Sequence, residues 1–299
     1  MQIAITGSSG LIGTALRQRL EAAGDTVVAV RRGPPSDPLA HWDPASGWFR
    51  DGALDGVDAV VHLAGASIGE GRWTAARKRE LRASRIDATA LLVRHLGTLS
   101  KRPRVLVAAS ATGVYGNRGD EPLTEDSPGG SGFLADLVRD WEAESLKARE
   151  LGLRVVLART GVVLTKDGGA LPRMLVPFRF GLGGRLGNGR QWMSWISLPD
   201  AVGVVVDLLT REIEGPVNVV APNPVTNRQL TATLGKVLRR PAIFPVPGLA
   251  LKLLIGESAE ELLLQGQRVL PARLAAASYP FRQPDLAAAL TATLKAGQG

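Results

Sequence analysis

The chain has 299 residues, 45% of them hydrophobic and 21% charged, and a formal net charge of +8. Such a length lies at or beyond what one core usually serves, so a large domain with an appendage is expected. Cysteine is absent, which excludes disulfides, thiolate metal ligands and cysteine nucleophiles and accords with a cytoplasmic location. No run is long and apolar enough to span a bilayer, and no charged leader precedes the first strand, so no membrane partner is expected. Arg outnumbers Lys and the basic residues are spread along the chain, which argues against a nucleic-acid partner. The three histidines share no metal-binding spacing, and no metal is expected.

Residues 1–13 read Met-Gln-Ile-Ala-Ile-Thr-Gly-Ser-Ser-Gly-Leu-Ile-Gly. A short β-type apolar run leads into Gly7, Gly10 and Gly13, and a helical pattern (Leu11, Ala15, Leu16, Leu20) starts at once. This is the opening of a dinucleotide-binding βαβ unit. Gly7 allows the tight turn, Gly10 lets a pyrophosphate approach the backbone, and Gly13 lets the helix pack close to the sheet. Ser9, Leu11 and Ile12 complete the turn, whose helix N-terminus favours an anion through its free N–H groups and dipole.

A second strand covers 26–30 and ends in Arg31 and Arg32. The stretch 33–56, rich in Pro, Gly and Asp, is expected to be loop or short irregular structure. Strand 58–65 leaves into a turn at Gly65, and one helix is expected over 74–97. Strand 104–109, a polar loop, helix 133–150 and strand 154–159 follow. A Gly-rich segment at 181–190 precedes helix 199–211 and strand 216–220. This alternation predicts an α/β fold, a doubly wound parallel sheet of Rossmann type. Beyond Pro222 the alternation weakens, prolines cluster at 241–247, and helices such as 257–264 dominate. The expected division is a nucleotide-binding domain over 1–222, with a substrate-side insertion at about 166–195. A small, mainly helical substrate-side lobe then fills 223–299.

Arg31 and Arg32 stand where an NAD-binding unit usually places Asp or Glu against the adenosine ribose. Guanidinium groups bind a 2′-phosphate that a carboxylate would repel. The expected cofactor is therefore NADP(H). A P-loop is excluded, because no Gly-Lys-Ser/Thr follows the glycines.

The order Thr-Gly-Ser-Ser-Gly-Leu-Ile-Gly (6–13), His-Leu-Ala-Gly (62–65), Ala-Ser-Ala-Thr-Gly-Val-Tyr-Gly (109–116) and Leu-Thr-Glu-Asp-Ser-Pro (123–128) resembles the extended short-chain dehydrogenase/reductases, the NAD-dependent epimerase/dehydratase family. Segments 178–184, 187–192 and 264–271 are similar to an atypical "epimerase family protein" branch with a small C-terminal domain. Some members of that branch carry sugar-nucleotide epimerase labels and others cell-division inhibitor labels. The resemblance implies that Leu63, Ala64 and Gly65 lie beside adenosine and pyrophosphate. It places Ser110 at the family's catalytic Ser/Thr position, near the nicotinamide. Glu80, Arg85 and Arg159 look like cofactor or site residues in this branch, although Arg85 also reads as a surface arginine laid along its helix.

The family's usual acid/base, Tyr-x-x-x-Lys, is missing. Four residues after Tyr115 stands Gly119, and four after Tyr279 stands Gln283. Aligning the family's downstream Glu on Glu142 puts the two vacant positions at Leu134 and Val138. Tyr115 is the candidate substitute, with packing as its other reading. Glu125 and Asp126 are expected to serve a turn or a cap, and Asp136, Arg139 and Asp140 a solvated helix face. Met193 occupies the place where the family commonly holds a substrate diphosphate with Arg, and Arg185 or Arg190 would have to compensate. Trp192, Met193 and Trp195 suggest an apolar pocket, or ordinary core. Two functions follow. One is an NADP(H)-dependent, epimerase-like oxidoreductase acting on a small carbonyl or alcohol that is not a typical nucleotide sugar. The other is a non-catalytic or weakly catalytic NADP(H)-binding regulator. A homodimer or a protein partner is compatible with both.

Overall fold

A computed structural model describes residues 1–295. Six strands form the central sheet: β1 (Gln2–Thr6), β2 (Thr26–Val30), β3 (Ala59–His62), β4 (Val105–Ala111), β5 (Arg154–Thr160) and β6 (Gly215–Val219). All pairs are parallel, in the order β6-β5-β4-β3-β1-β2. From β1 the chain steps out to β2, then returns past β1 to β3 and proceeds the other way. The two directions part at β1, so the crevice beyond the carboxyl ends of β1 and β3 is where such a sheet receives a ligand.

Alternate residues of the strands serve two cores, because side chains on a strand point to opposite faces. Ile3, Ile5, Val61, Val107 and Val156 pack on one face with α1 (Leu11–Ala22). Ala4, Val60, Leu106 and Val155 pack on the other with Leu92 and Leu96. That second face is covered by α3 (Ile86–Thr98), which α2 (Ala75–Ala83) precedes, and by α4 (Phe133–Leu146). A third core joins α5 (Ala170–Arg179) and α7 (Asn227–Leu238) to the terminal helix Leu286–Lys295. Between them, α6 (Leu198–Thr210) lies beside α1 on the first face, and α8 (Gly248–Ile255) follows α7. No helix among the described residues is long and apolar enough to cross a membrane.

The structure departs from the sequence reading in three places. Residues 33–56 are not all loop: Trp42–Asp43 and Trp48–Phe49 form a small antiparallel hairpin that buries Trp42 on the second core. The expected helix 74–97 is two helices. Ser84 Oγ donates to Leu81 O and accepts from Ala66 N, and the chain turns at Arg85 before α3 starts. Residues 257–264 form a short turn, Glu257–Ala259, followed by a π-helical turn, Glu260–Leu264. Of the two readings of Met193 and Trp195, the structure shows core: Trp195 is fully buried in the third core and Met193 packs against it.

Candidate functional site

The glycine turn is shaped by crowding. Gly7 has φ +67°, and a Cβ there would lie 2.8 Å from the Leu63 carbonyl carbon. A Cβ on Gly13 would sit 2.2 Å from Gly7 O, so no side chain fits. Gly10 N donates to Gly7 O at 3.0 Å and closes the turn. At the start of α1, Gly10 offers no side-chain cap, and the first turn holds no acid. The free N–H groups are thus left to an anion. Ser9 and Gly10 are exposed, and Leu11 and Ile12 half-buried, along this mouth.

Arg31 and Arg32 are exposed just past β2, and neither forms an ion pair among the described residues. Arg31 N donates to His41 Nδ1 at 3.2 Å. Burial first, then the charges of Arg50 and Arg31, pushes the His41 pKa down. The surface is therefore cationic with no carboxylate committed to it.

Across the switch point, Leu63 and Ala64 are half-buried and Gly65 is exposed. A Cβ on Gly65 would meet the Arg85 guanidinium carbon at 3.3 Å. Arg85 donates to Ala66 O at 2.9 Å and lies 5.3 Å from the Trp141 ring centre. Its partners are all neutral; burial, helped by Arg77, lowers its pKa to about 10. Arg85 is thus a largely buried cation, not the surface arginine of the alternative reading. Glu80 is more than half exposed on α2 and pairs with Arg77 at 2.7 Å.

A buried relay ties this turn to α4. Ala64 N donates to Thr6 Oγ1, which lies 2.7 Å from His62 Nδ1. His62 Nε2 lies 3.0 Å from Thr89 Oγ1, which also accepts from Trp141 Nε1. The Thr89 hydroxyl donates to Arg85 O, so His62 must donate from Nε2 and accept at Nδ1. Burial pushes His62 down to about 4 and keeps it neutral.

The other end of the sheet holds a second network. Ser110 on β4 is the register partner of Arg159 on β5. Ser110 Oγ donates to Glu142 Oε1 at 2.5 Å. Arg159 grips both oxygens of Glu142, at 2.8 and 2.9 Å, and donates to the Tyr115 hydroxyl at 2.9 Å. Tyr115 in turn donates to Asn218 Oδ1 at 2.7 Å. Burial lowers the Arg159 pKa, but the hydrogen bonds and charge of Glu142, with Tyr115, outweigh it and hold the guanidinium above its ordinary value. Burial raises the Tyr115 phenol, with Arg159 opposing.

Tyr115 is therefore placed differently from a dyad tyrosine. It is 0% exposed, and its hydroxyl is spent on Asn218 and Arg159. A dyad lysine lowers the tyrosine pKa, whereas here the net direction is up. The vacant dyad positions are apolar in place as well: Leu134 lies against Gly113, and Val138 is buried with Tyr115. One residue missed by the sequence reading stands beside them. Glu261, from the π-helical turn Glu260–Leu264, accepts from Phe133 N at 3.0 Å and Leu134 N at 2.9 Å and so caps α4. The only sequence hint was that α4 starts at Gly132 without a capping side chain of its own.

Of the other candidates, Glu125 borders this cluster, its backbone O accepting from Arg159 at 3.4 Å, and the rest fall outside it. Asp136 pairs with Arg139, and Asp140 with Arg82, on the solvated face of α4. Glu125 is buried and accepts from Asn218 N and Arg273 N, which makes it an interior brace where a turn or cap was expected. Arg185 bonds to Asn188 O, while Arg190 is exposed. A further missed cation, Arg268, lies over the Trp192 ring at 4.8 Å, and its buried Nε has no hydrogen-bond partner among the described residues.

The parallel sheet, the glycine turn at its switch point and the uncapped α1 define a dinucleotide-binding Rossmann protein. The NAD dependent epimerase/dehydratase family matches residues 3–221, and the chain belongs to it. A domain of unknown function, DUF1731, matches residues 246–293. Epimerase family protein Mb2239 of Mycobacterium bovis is 46% identical over 290 residues, covering 96% of each chain. The crystal structure of human epimerase family protein SDR39U1 (isoform2) with NADPH superposes with a TM-score of 0.86, at 36% identity and 99% coverage of both chains. A nucleoside-diphosphate sugar epimerase from Corynebacterium glutamicum gives 0.81 at 36% identity, covering 98% of this chain and 58% of that one.

Proposed function

We propose that this chain binds NADP(H) and acts as an epimerase-like oxidoreductase on a small carbonyl or alcohol compound. The observation that carries the reading is the pair Arg31 and Arg32, free of carboxylate partners just past the end of β2, where Val30 pairs with Thr6 before the glycine turn and the uncapped α1. Gly7, Gly10 and Gly13 leave room for the pyrophosphate, and Ser9, Leu11 and Ile12 border it. The arginines take the 2′-phosphate, Leu63, Ala64 and Gly65 flank the adenosine side, and Arg85 adds buried positive charge at that turn, with Glu80 holding Arg77 nearby. The relative SDR39U1, crystallised with NADPH, supports this choice. The cysteine-free composition suits a cytoplasmic setting.

Bound there, the nicotinamide supplies or accepts the hydride. Ser110 and Glu142 handle the proton. When an alcohol is oxidised, its hydroxyl proton passes to Ser110 Oγ while the Ser110 proton passes to Glu142 Oε1; carbonyl reduction reverses both transfers. Arg159 orients Glu142, and Tyr115 enters through Arg159 without touching substrate. Without a Tyr-Lys dyad, turnover is slow compared with a dyad enzyme. A nucleotide sugar is a poor fit, because Met193 packs against core where a phosphate-binding Arg would stand.

A second reading has its own support. Both dyad positions are apolar and Tyr115 is sealed, as in a protein that binds NADP(H) to regulate a partner without catalysis. NADPH oxidation with a panel of reactive carbonyls separates the two. The enzyme reading expects slow turnover that falls at least about tenfold in Ser110→Ala with NADPH affinity kept. No turnover with any substrate, and no effect of Ser110→Ala, would favour the regulator.

A further inference from the structure

Two stretches of the C-terminal half contain no acid. Between Asp167 and Asp200, and again between Glu214 and Glu257, the sequence carries nine Lys and Arg and no Asp or Glu. The chain's net charge of +8 therefore resides there, and the remainder is close to neutral. Along the chain the basic residues look scattered; it is the acids that are unevenly placed.

The fold lays these stretches side by side. Phe244 N donates to Gly183 O at 3.1 Å, Val246 N to Arg185 O at 2.9 Å, and Gly187 N to Val246 O at 2.9 Å. Large apolar side chains project from the paired loops: Phe180 is 77% and Ile243 73% exposed, with Leu182 and Phe244 about half exposed. The next element, α8, exposes Leu249, Leu253 and Leu254. Leu249 and Lys252 line a cavity of about 310 Å³ with Gly187 and Asn188, so α8 adjoins the loops. Arg179 precedes Phe180, Arg185 and Arg228 share a cavity of about 250 Å³ with Ile243, and Arg240 follows the end of α7. None of these four arginines is in an ion pair among the described residues.

Exposed aromatic and aliphatic residues in such number mark a contact surface. The unpaired cations among them select its chemistry. A second copy of the chain would set this positive surface against itself, and a nucleic acid would not use projecting Leu and Ile. Lys252 is paired with Glu260 at 2.6 Å, but apolar tips among the unpaired Arg side chains match the boundary between headgroups and acyl chains of an acidic bilayer, where each kind of side chain finds its own layer. We propose that the paired loops 180–186 and 241–246, with α8, dock this protein on an anionic lipid surface. The sequence-based expectation of no membrane partner rested on the lack of a spanning run, and a peripheral contact needs none.

Co-sedimentation of the full chain with vesicles tests this. Phosphatidylcholine vesicles containing about a third phosphatidylglycerol should bind it at low salt at least about tenfold better than phosphatidylcholine alone. All the altered positions are exposed, so the Phe180→Ser/Ile243→Ser and Arg179→Gln/Arg240→Gln variants should keep the parent Tm. Each should lose at least about fivefold in binding to the anionic vesicles. Absence of binding to anionic vesicles at low salt would overturn the proposal. So would binding that both variants retain. Binding lost with the arginines but untouched by the serine pair would reduce the contact to charge attraction alone and overturn the proposed seating of the apolar tips in lipid.

Discussion

The two ends of the crevice are built differently. At the cofactor end, the glycine turn and the two arginines come from one unbroken βαβ segment, residues 2–32, and spacing alone positions them. At the Ser110 end, the working groups come from β4, α4, β5 and β6, and Glu142 lies 32 residues from Ser110. One end depends on what is missing, since side chains are excluded and carboxylates withheld. The other depends on what is paired, because each buried polar group needs its partner. The first is sensitive to added volume, the second to a removed charge.

The largest expected effect breaks the first end. Gly13→Ala puts a methyl 2.2 Å from Gly7 O, and NADPH affinity should fall by about a hundredfold or more. The same change at Gly113 meets only the Leu134 side chain, at 3.4 Å and 3.8 Å, and should shift affinity less than about twofold. Fluorescence titration of both variants measures the contrast, and equal losses would erase the distinction between the ends.

Charge removal should break the second end. Glu142→Ala leaves Arg159 buried without its anion and should cost about 3–5 kcal/mol in urea unfolding. Adding Arg159→Met should recover part of that loss. A single-variant cost below about 1 kcal/mol would mean that the pair is solvated and the network loose.

Acid should act on the relay between the two ends. His62 has its pKa lowered from 6.5 to about 4 by burial, so the folded state binds its proton less readily than the unfolded chain. Its contribution is whole above pH 6.5 and is lost as the pH falls toward 4, amounting to about 3 kcal/mol. Unfolding free energies measured across that window should decline with a slope that His62→Gln flattens. An unchanged slope in the variant would remove His62 from the relay.

What could be read from the sequence follows the same divide. Gly7, Gly10, Gly13, Arg31 and Arg32 act through neighbours in the chain, so their spacing carried the information. Ser110 was legible only through resemblance, and the hydrogen bond it donates to Glu142 was not. Tyr115 drew attention as a phenol near Ser110, yet its exposure depends on Asn218, which sits on β6, 103 residues away. Glu261 caps a helix that begins 128 residues earlier, and no local pattern announces such a cap. The hairpin at Trp42 was hidden because its Pro, Gly and Asp neighbours outweigh four strand residues in any window.

The central claim is that Arg31 and Arg32 make this an NADP(H) site. Titration of the protein with NADPH and NADH measures it directly. NADPH should bind at least tenfold more tightly, a difference of about 1.4 kcal/mol that one charge-assisted phosphate contact supplies, and Arg31→Ala/Arg32→Ala should make the two affinities equal. Equal affinities in the parent protein, or a preference for NADH, would contradict it.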